Sequence, residues 1–467
     1  MTPPQSTPLN VTITPHRELL PADSTEQKLF LMLKLRPTRE IAATRPSTAF
    51  AFIIDTSSSM GEPVLGEPVT TGQVVYEDGK QYHLVTGTIS KLDIVMDSLQ
   101  RLIHSGRLSQ SDRVSIIQFN DNASTVIGLT PATQVDQLEN AIAHLQQFSG
   151  GTRMGLGMQQ ALTTLSSQNM TIRRAILFTD GQTVDDDDCK ELARQFANAN
   201  IPITALGVGD YEEKLLIHLS DTTGGSLFHI VPEESANGTQ VAITQLPATL
   251  IEEFSQAQQE VITNLKMTVK TVKGVKLSRI VRAYPTPAEF PLTQDPYPIG
   301  NAAGNDETIV LLEFAIESRS AGKIRIAQLG LTYDIPGQQR RGELPMQNLV
   351  VQFVEGQMAA QIDPEVMGYL QQCNIAQLVD QAAQVADHDP DKANEILERA
   401  RKMTQKLGND ALTRSIASSQ DELRKTRKLS SDSRKTVKMG AKSKTVKMNT
   451  DEEEGLSEEQ IRQISGT

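Results

Sequence analysis

The apolar positions at the two ends of the chain follow the period of a β-strand. Residues 9–37 alternate, with four leucines between residues 29 and 35 on one face and Phe30, Met32 and Lys34 on the other. The same two-residue period returns over residues 258–357. Because a short strand pair does not fold alone, we predict that residues 1–47 supply the first strands of a β-sandwich completed by residues 258–357.

Between these flanks, over residues 48–235, short apolar runs alternate with helical stretches. Strands are predicted at 49–55, 113–119, 173–180, 202–209 and 226–231. This alternation predicts an α/β domain with a doubly wound, mostly parallel, Rossmann-like sheet, inserted into the sandwich. Residues 61–90 interrupt the pattern, and we interpret them as an insertion with a hairpin that turns at Asp78-Gly79.

The remaining segments are predicted from the helical period and from composition. Residues 236–257 read as a linker helix, and residues 358–428 read as two or three helices that follow one another as hairpins. Past residue 428 the composition changes to Ser, Lys, Thr and acidic residues. Residues 429–467 are therefore predicted to be a disordered tail.

Charge and cysteine content narrow the function classes. The 467 residues carry a formal net charge of −12, which makes nucleic acid a poor partner. Cys189 and Cys373 are predicted to be free, buried thiols, as suits a reducing compartment. The N-terminus lacks a basic region followed by an apolar block, and no run of about 20 apolar residues occurs. We therefore expect a cytoplasmic protein without a membrane span.

Small oxygen-bearing side chains follow three of the predicted strands or precede their helices. The first loop offers Asp55, Ser57 and Ser59, the second offers Thr152 behind two glycines, and the third offers Asp180. The carboxyl ends of parallel strands meet at one edge of a sheet, where ligands bind. Three hydroxyls and two carboxylates are hard oxygen ligands that suit Mg²⁺. Each loop taken alone is also explained as a turn or a helix cap.

The motifs "DTSSS", "GGT" and "FTDG", in this order and on this fold pattern, resemble the von Willebrand factor A domain. The resemblance covers about residues 48–235 and identifies the five oxygen donors with the metal-ion-dependent adhesion site of that family. It implies a bound Mg²⁺, for which Mn²⁺ or Ca²⁺ can substitute, and capture of an Asp or Glu side chain of a partner protein by the metal. The insertion at 61–90 departs from the family pattern and leaves the mode of partner binding open.

The tail contains a repeated sequence, "KTRKL", "KTVKM" and "KTVKM", at residues 425–429, 435–439 and 444–448. One interpretation is a solvated tail of mixed charge, and another is binding to an anionic surface. A third makes Thr426, Thr436 and Thr445 candidate sites for a Ser/Thr kinase that prefers basic flanks. The phosphothreonine would then be bound by a domain that reads it through arginines.

These observations favour a bacterial, cytoplasmic adaptor or scaffold over an enzyme. The serines at 57–59 lack the G-x-S-x-G elbow of a hydrolase, and no neighbouring base is visible. The main alternative is a subunit of an AAA-type ATPase remodelling or chelatase-like complex. A metal-dependent hydrolase is the second alternative, and a surface adhesin is opposed by the missing signal peptide.

Overall fold

The computed structural model describes residues 7–448 except residues 25, 68, 78–79, 169–170, 209–210, 233–239, 294, 357–361 and 443–444. The chain divides into two compact units. One combines Met1–Arg45 with Gln259–Thr467, and the other is Pro46–Gln258. The second unit is therefore inserted into the first along the chain, and each unit is described by itself.

The elements follow one another in three blocks. The N-terminal block contains β1 (Leu9–Pro15), β2 (Leu19–Pro21), β3 (Glu26–Pro37) and α1 (Arg39–Ala42). The inserted unit contains β4 (Thr48–Asp55), β5 (Pro63–Leu65), β6 (Val69–Glu77), β7 (Lys80–Thr86), β8 (Ile89–Ser90), α2 (Lys91–His104), β9 (Arg113–Phe119), β10 (Ala123–Pro131), α3 (Val135–His144), α4 (Met154–Ser166), β11 (Ile172–Thr179), α5 (Asp186–Asn198), β12 (Ile203–Val208), α6 (Glu213–Thr223), β13 (Leu227–Val231), β14 (Val241–Ala242) and α7 (Leu246–Gln258). The C-terminal block contains β15 (Glu260–Thr271), β16 (Val275–Tyr284), β17 (Ala288–Phe290), β18 (Tyr297–Ala303), β19 (Thr308–Glu317), β20 (Gly322–Ile335), β21 (Arg340–Val354), α8 (Pro364–Val385), α9 (Pro390–Lys406), α10 (Asp410–Thr426) and α11 (Ser431–Gly440).

Both flanks of the insertion contribute strands to one β-sandwich, as the sequence predicts. Its sheets have the strand orders β1-β3-β19-β16-β17 and β18-β15-β20-β21-β2. The core between them holds the alternate leucines of β3 together with apolar residues of the later strands, such as Phe314 and Phe353. Strands on one side of the insertion thus pair with strands on the other, which makes the sandwich a single folding unit.

The outer face of the first sheet is also apolar and is covered by α8. Phe30 and Met32 of β3 are buried there with Val366, Tyr369 and Leu370 of α8. Lys34, on the same face, donates to Glu365 at 2.7 Å. Because the middle of β3 is buried on both faces, residues 29–35 are apolar at every position except Lys34.

The inserted unit has a seven-stranded sheet in the order β10-β9-β4-β11-β12-β13-β14. All neighbouring strands are parallel except β10, which pairs antiparallel with β9 at the edge. The predicted doubly wound, mostly parallel sheet is confirmed. Sequence reasoning missed β10, whose residues alternate only weakly, and the two-residue strand β14.

The segment interpreted as a linker helix is α7, and it packs in the core of the inserted unit. Leu246, Leu250 and Phe254 are buried in that core. The ring of Phe254 lies 4.4 Å from that of Phe50, measured between centroids. Glu253 is buried as well and accepts a hydrogen bond from Thr204 at 3.1 Å. The helix is therefore a structural part of the α/β unit.

The insertion at 61–90 contains two small antiparallel pairs, β5 with β8 and β6 with β7. The predicted turn at Asp78-Gly79 lies outside the described residues. Val69 and Val74 are exposed in the hairpin, at 62% and 39%. None of the helices in the described part of the chain combines the length and apolar character needed to cross a bilayer. The cytoplasmic location stays a prediction.

The predicted disordered tail is wrong over its first part. Residues 431–440 form α11, whose first turn is capped by Ser430, and Val437 and Met439 are buried. Lys438 forms an ion pair with Asp380 of α8 at 3.3 Å. The composition suggested solvation, but these basic side chains meet acidic partners on the preceding helices. Residues 449–467 lie outside the described part.

His16 gives the sandwich a measurable pH dependence. The side chain is 4% exposed, its Nδ1 accepts from the Phe30 amide at 3.2 Å, and burial lowers its pKa to about 4. In the unfolded chain His16 takes up a proton near pH 6.5, whereas in the folded chain it does so only near pH 4. The free energy of unfolding therefore falls as the pH drops from 6.5 towards 4, by up to about 3 kcal/mol. Urea unfolding should show this loss in wild type.

The matched variant is His16→Asn, which keeps an acceptor for the Phe30 amide but does not titrate. We expect wild type to lose its stability advantage over the variant between pH 7 and pH 4.5. A stability difference that stays constant over this range would contradict the assignment, because all other titrating groups are shared.

Candidate metal centre

Three loops of the inserted unit converge at the carboxyl edge of its sheet. The first follows β4, the second precedes α4 and the third follows β11. A methyl group built on Gly181 would lie 3.8 Å from Thr152 Oγ1 and 4.0 Å from Ser59 Oγ. Thr152 and Ser59, which come from two different loops, thus lie beside the glycine that follows Asp180 in the third loop.

Asp55 ends β4 and is completely buried. Its Oδ1 accepts from the Ser57 amide at 2.9 Å, and its Oδ2 accepts from the Thr179 hydroxyl at 2.7 Å. Burial raises the pKa of Asp55 to about 6, despite these hydrogen bonds. A charged Asp55 therefore favours a cation nearby. Thr179, which sequence reasoning did not single out, fixes the orientation of this carboxylate.

The two serines connect Asp55 to Asp180. Ser57 Oγ and Ser59 Oγ lie 3.2 Å apart, and Ser59 Oγ donates to Asp180 Oδ1 at 2.8 Å. Ser57 and Asp180 are each 4% exposed, whereas Ser59 is half-buried. The oxygen donors consequently line a site that opens to solvent on the side of Ser59.

The glycine loop is held by a carboxylate that the sequence did not reveal. Gly151 donates its amide to Asp121 Oδ2 at 2.9 Å. A Cβ on Gly150 would meet that carboxylate at 2.7 Å, and one on Gly151 would meet it at 2.5 Å. Gly150 also has φ of +140°, which favours glycine. Both glycines are therefore needed to bring Thr152 to the site.

This donor set suits a hard divalent ion. Oxygen supplies all the donor atoms, from three hydroxyls and two carboxylates, as Mg²⁺ prefers. The described residues contain no group of three or more His, Cys, Asp or Glu side chains that could hold a metal, and this site itself has only two carboxylates. A metal held here would depend on the hydroxyls as much as on the carboxylates.

Lys91, the first residue of α2, is an additional member of the site. Its Nζ lies 2.7 Å from Asp180 Oδ2, 2.7 Å from Glu62 Oε2 and 3.2 Å from the main-chain oxygen of Ser59. Although burial lowers the pKa of Lys91, these carboxylate contacts raise it overall. A lysine in the first turn of a helix opposes the helix dipole, and this placement was the available sequence signal.

Two family models match the chain. The von Willebrand factor type A domain model matches residues 50–243, and the model described as Sll0103-like, C-terminal alpha-helical domain matches residues 364–447. The chain therefore contains a von Willebrand factor type A domain, as the motifs indicated. The second model ends within the segment that sequence analysis had assigned to a tail.

Solved structures share the fold over nearly the whole chain. The von Willebrand factor type A protein from Catenulispora acidiphila has a TM-score of 0.74 at 16% identity, covering 95% of this chain and 99% of that one. The ArnB paralog VWA2 from Sulfolobus acidocaldarius has a TM-score of 0.58 at 16% identity, covering 93% and 98%. At these identities the likeness shows the fold alone.

A curated relative, an uncharacterized protein of Borreliella burgdorferi, is 23% identical over 149 residues. The match covers 27% of this chain and 43% of the relative, so the chain spans less than half the length of that protein.

Lys91 is predicted to compete with a divalent ion. Its ammonium group neutralises Asp180 and repels any second cation at the hydroxyls, so Lys91→Met should tighten Mg²⁺ binding by about tenfold or more. Titration calorimetry with Mg²⁺ on the full chain measures this. Lys190→Met is the matched control, because Lys190 pairs with Asp186 on α5 instead. Unchanged or weaker binding in Lys91→Met would contradict the competition.

Proposed function

We propose that this protein is a non-enzymatic adaptor that docks an acidic residue of a partner protein through a divalent ion. Ser57, Ser59 and Thr152 would be direct hydroxyl ligands, and Asp55 and Asp180 would bind the ion directly or through water. The convergence of five oxygen donors from three separate loops is the observation that carries the proposal.

The charge of the donor set supports capture of an outside carboxylate. Hydroxyl ligands are neutral, so two carboxylates balance a divalent ion without leaving excess negative charge. When an ion is bound it supplies a Lewis-acidic position for a further oxygen ligand. Ser59 and Thr152 are only half-buried, which supports access to that position from solvent.

The hydroxyl contacts favour binding over catalysis. Ser57 Oγ contacts Ser59 Oγ, and Ser59 donates to Asp180, a carboxylate that would itself bind the ion and would then be a poor base for activating the hydroxyl. If the chain were instead a metal-dependent hydrolase, Asp55→Ala would abolish a measurable turnover. A commonly supplied ester or phosphoester substrate should show no metal-dependent hydrolysis by the wild-type protein.

Calorimetric titration of the full chain with MgCl₂ and MnCl₂ tests the metal site. Wild type should bind one ion, and Asp55→Ala and Thr152→Ala should both lose binding because each removes an oxygen donor. Ser58→Ala is the matched control: Ser58 lies in the same loop, but its hydroxyl contacts Ser149 and Gly150 and is not among the five donors. It should bind like wild type.

The docking step has a separate readout. A partner retained by wild-type protein in Mg²⁺ should be released by EDTA, recovered when Mn²⁺ is restored, and absent with Thr152→Ala. Retention that is indifferent to both chelator and substitution would refute metal-dependent docking, even if calorimetry shows an ion.

A further inference from the structure

The second copy of the KTVKM repeat is a docked segment, not a solvated one. The described part of this copy, Thr445–Met448, contacts the end of β16 and one face of α8. The first copy has the same five residues and forms the helix α11. The same sequence is thus helical in the first copy and non-helical in the second, and the contacts of the second copy favour the non-helical conformation.

The residues that contact the segment form hydrogen bonds with its main chain. Gln372 of α8 is 5% exposed and uses both amide atoms on Val446: Nε2 donates to the carbonyl oxygen and Oε1 accepts from the amide, each at 2.8 Å. The Thr445 amide donates to Pro285 O at 2.9 Å, and the Met448 amide donates to the Tyr369 hydroxyl at 3.3 Å. This is how grooves bind extended peptides.

Side-chain recognition is present at both ends of the segment. Lys447 lies between Asp306 and Glu307, at 2.8 and 2.9 Å. A Cβ on Gly368 would lie 2.4 Å from Met448 Cε, so a glycine in the second turn of α8 makes room for the methionine. A helix-interior glycine costs about 1 kcal/mol relative to alanine. Gly368 therefore lowers the stability of α8, and the space that Met448 needs explains why a glycine stands at this position.

Docking of the segment depends on the side chain of Thr445. It is 8% exposed, and its hydroxyl lies 2.7 Å from Ala283 O and 2.8 Å from Pro285 O, donating its one proton to these two acceptors. A phosphorylated threonine has no hydroxyl proton to donate on Oγ1, and its phosphate oxygens would face main-chain carbonyl oxygens. The carboxylates of Asp306 and Glu307, which pair with Lys447, would add further negative charge nearby. A phosphate group therefore does not fit the position that Thr445 occupies.

The other two candidate threonines differ. Thr436 donates to Asp432 O within its own helix at 2.8 Å, and the helical backbone around it is unlike the extended one that kinases bind. Thr426 is exposed at the end of α10, where its hydroxyl donates to Glu422 O and Lys428 O. These hydroxyl bonds join each threonine to its own helix or to the turn that follows it.

We propose that Thr445–Met448 is a releasable latch and that Thr445 is the phosphorylation site that releases it. An ATP-dependent Ser/Thr kinase acts on the segment while it is undocked. The Thr445 Oγ1–P bond forms as the bond to ADP breaks, and the hydroxyl proton passes to the base of the kinase. The added phosphate then prevents redocking and leaves the groove along α8 open. This proposal does not depend on the metal site.

Full-length protein carrying phosphothreonine at 445, made by genetic incorporation, tests the release. Hydrogen exchange followed by mass spectrometry should show the 445–448 amides exchanging at least about tenfold faster than in the unmodified protein. Trypsin should also cut after Lys447 sooner. Protection that is unchanged by the phosphate would overturn the proposal.

Variants separate release from misfolding. Thr445→Val keeps the shape but removes the donated bonds, and should raise exchange at 445–448 without changing exchange in β19 or α9. Thr445→Ser keeps the hydroxyl and should behave like wild type, as should Thr436→Val outside α11. Gly368→Ala favours the helix yet crowds Met448, so it should loosen the latch while the protein stays folded. Equal exchange in Thr445→Val and Thr445→Ser would contradict the role of the hydroxyl.

The modification itself is tested on protein purified from its native cells under several growth conditions. Mass spectrometry should find phosphate on Thr445. Its absence under all conditions, or phosphate confined to Thr426, would overturn the assignment of the site.

Discussion

The sheet that contains β3 is apolar on both faces, and the helices that follow the last strand are arranged around that constraint. One face forms the sandwich core, while Phe30 and Met32 on the other require a cover. Burying each such side chain contributes about 1.5–3 kcal/mol, so an uncovered face would be both unstable and prone to association. The helix α8 supplies the cover, and its remaining surface then receives α9, α11 and the segment Thr445–Met448.

A comparable constraint governs the candidate metal centre, where charge takes the place of apolar area. Asp55 is buried at a strand end, and its charge is acceptable only with hydrogen-bond donors and a cation close by. Thr179 and the Ser57 amide supply the donors, and Lys91 supplies a fixed positive charge next to Asp180. A metal ion that binds here would be repelled by the ammonium group of Lys91. The affinity of the site for the ion would therefore depend on a residue that is not one of its ligands.

The period of apolar residues predicted the sandwich, the parallel sheet and the strand ends well, because burial of strands leaves a direct record in the sequence. The convergence of Asp55, Ser59, Thr152 and Asp180 followed from the rule that parallel strands share a carboxyl edge. Lys91 and Asp121 were missed because their roles depend on distances between loops, which no local pattern encodes. The prediction of a disordered tail was wrong over residues 431–440 for a related reason. Its basic residues read as solvated in the sequence, and only the structure places acidic residues opposite them.

The insertion of one unit within another also affects the order in which the protein is made. Strands β2 and β3 are synthesised before the whole α/β unit, yet their partners β21 and β19 are synthesised after it. On the ribosome, the α/β unit can be complete while β3, apolar on both faces, has only β1 beside it and still lacks β19. Unpaired strands of this kind invite aggregation. Rapid folding of the inserted unit would shorten the time for which β3 lacks β19. Chaperones that cover roughly the first forty residues of the chain, the length of three strands and their turns, would protect it during that time.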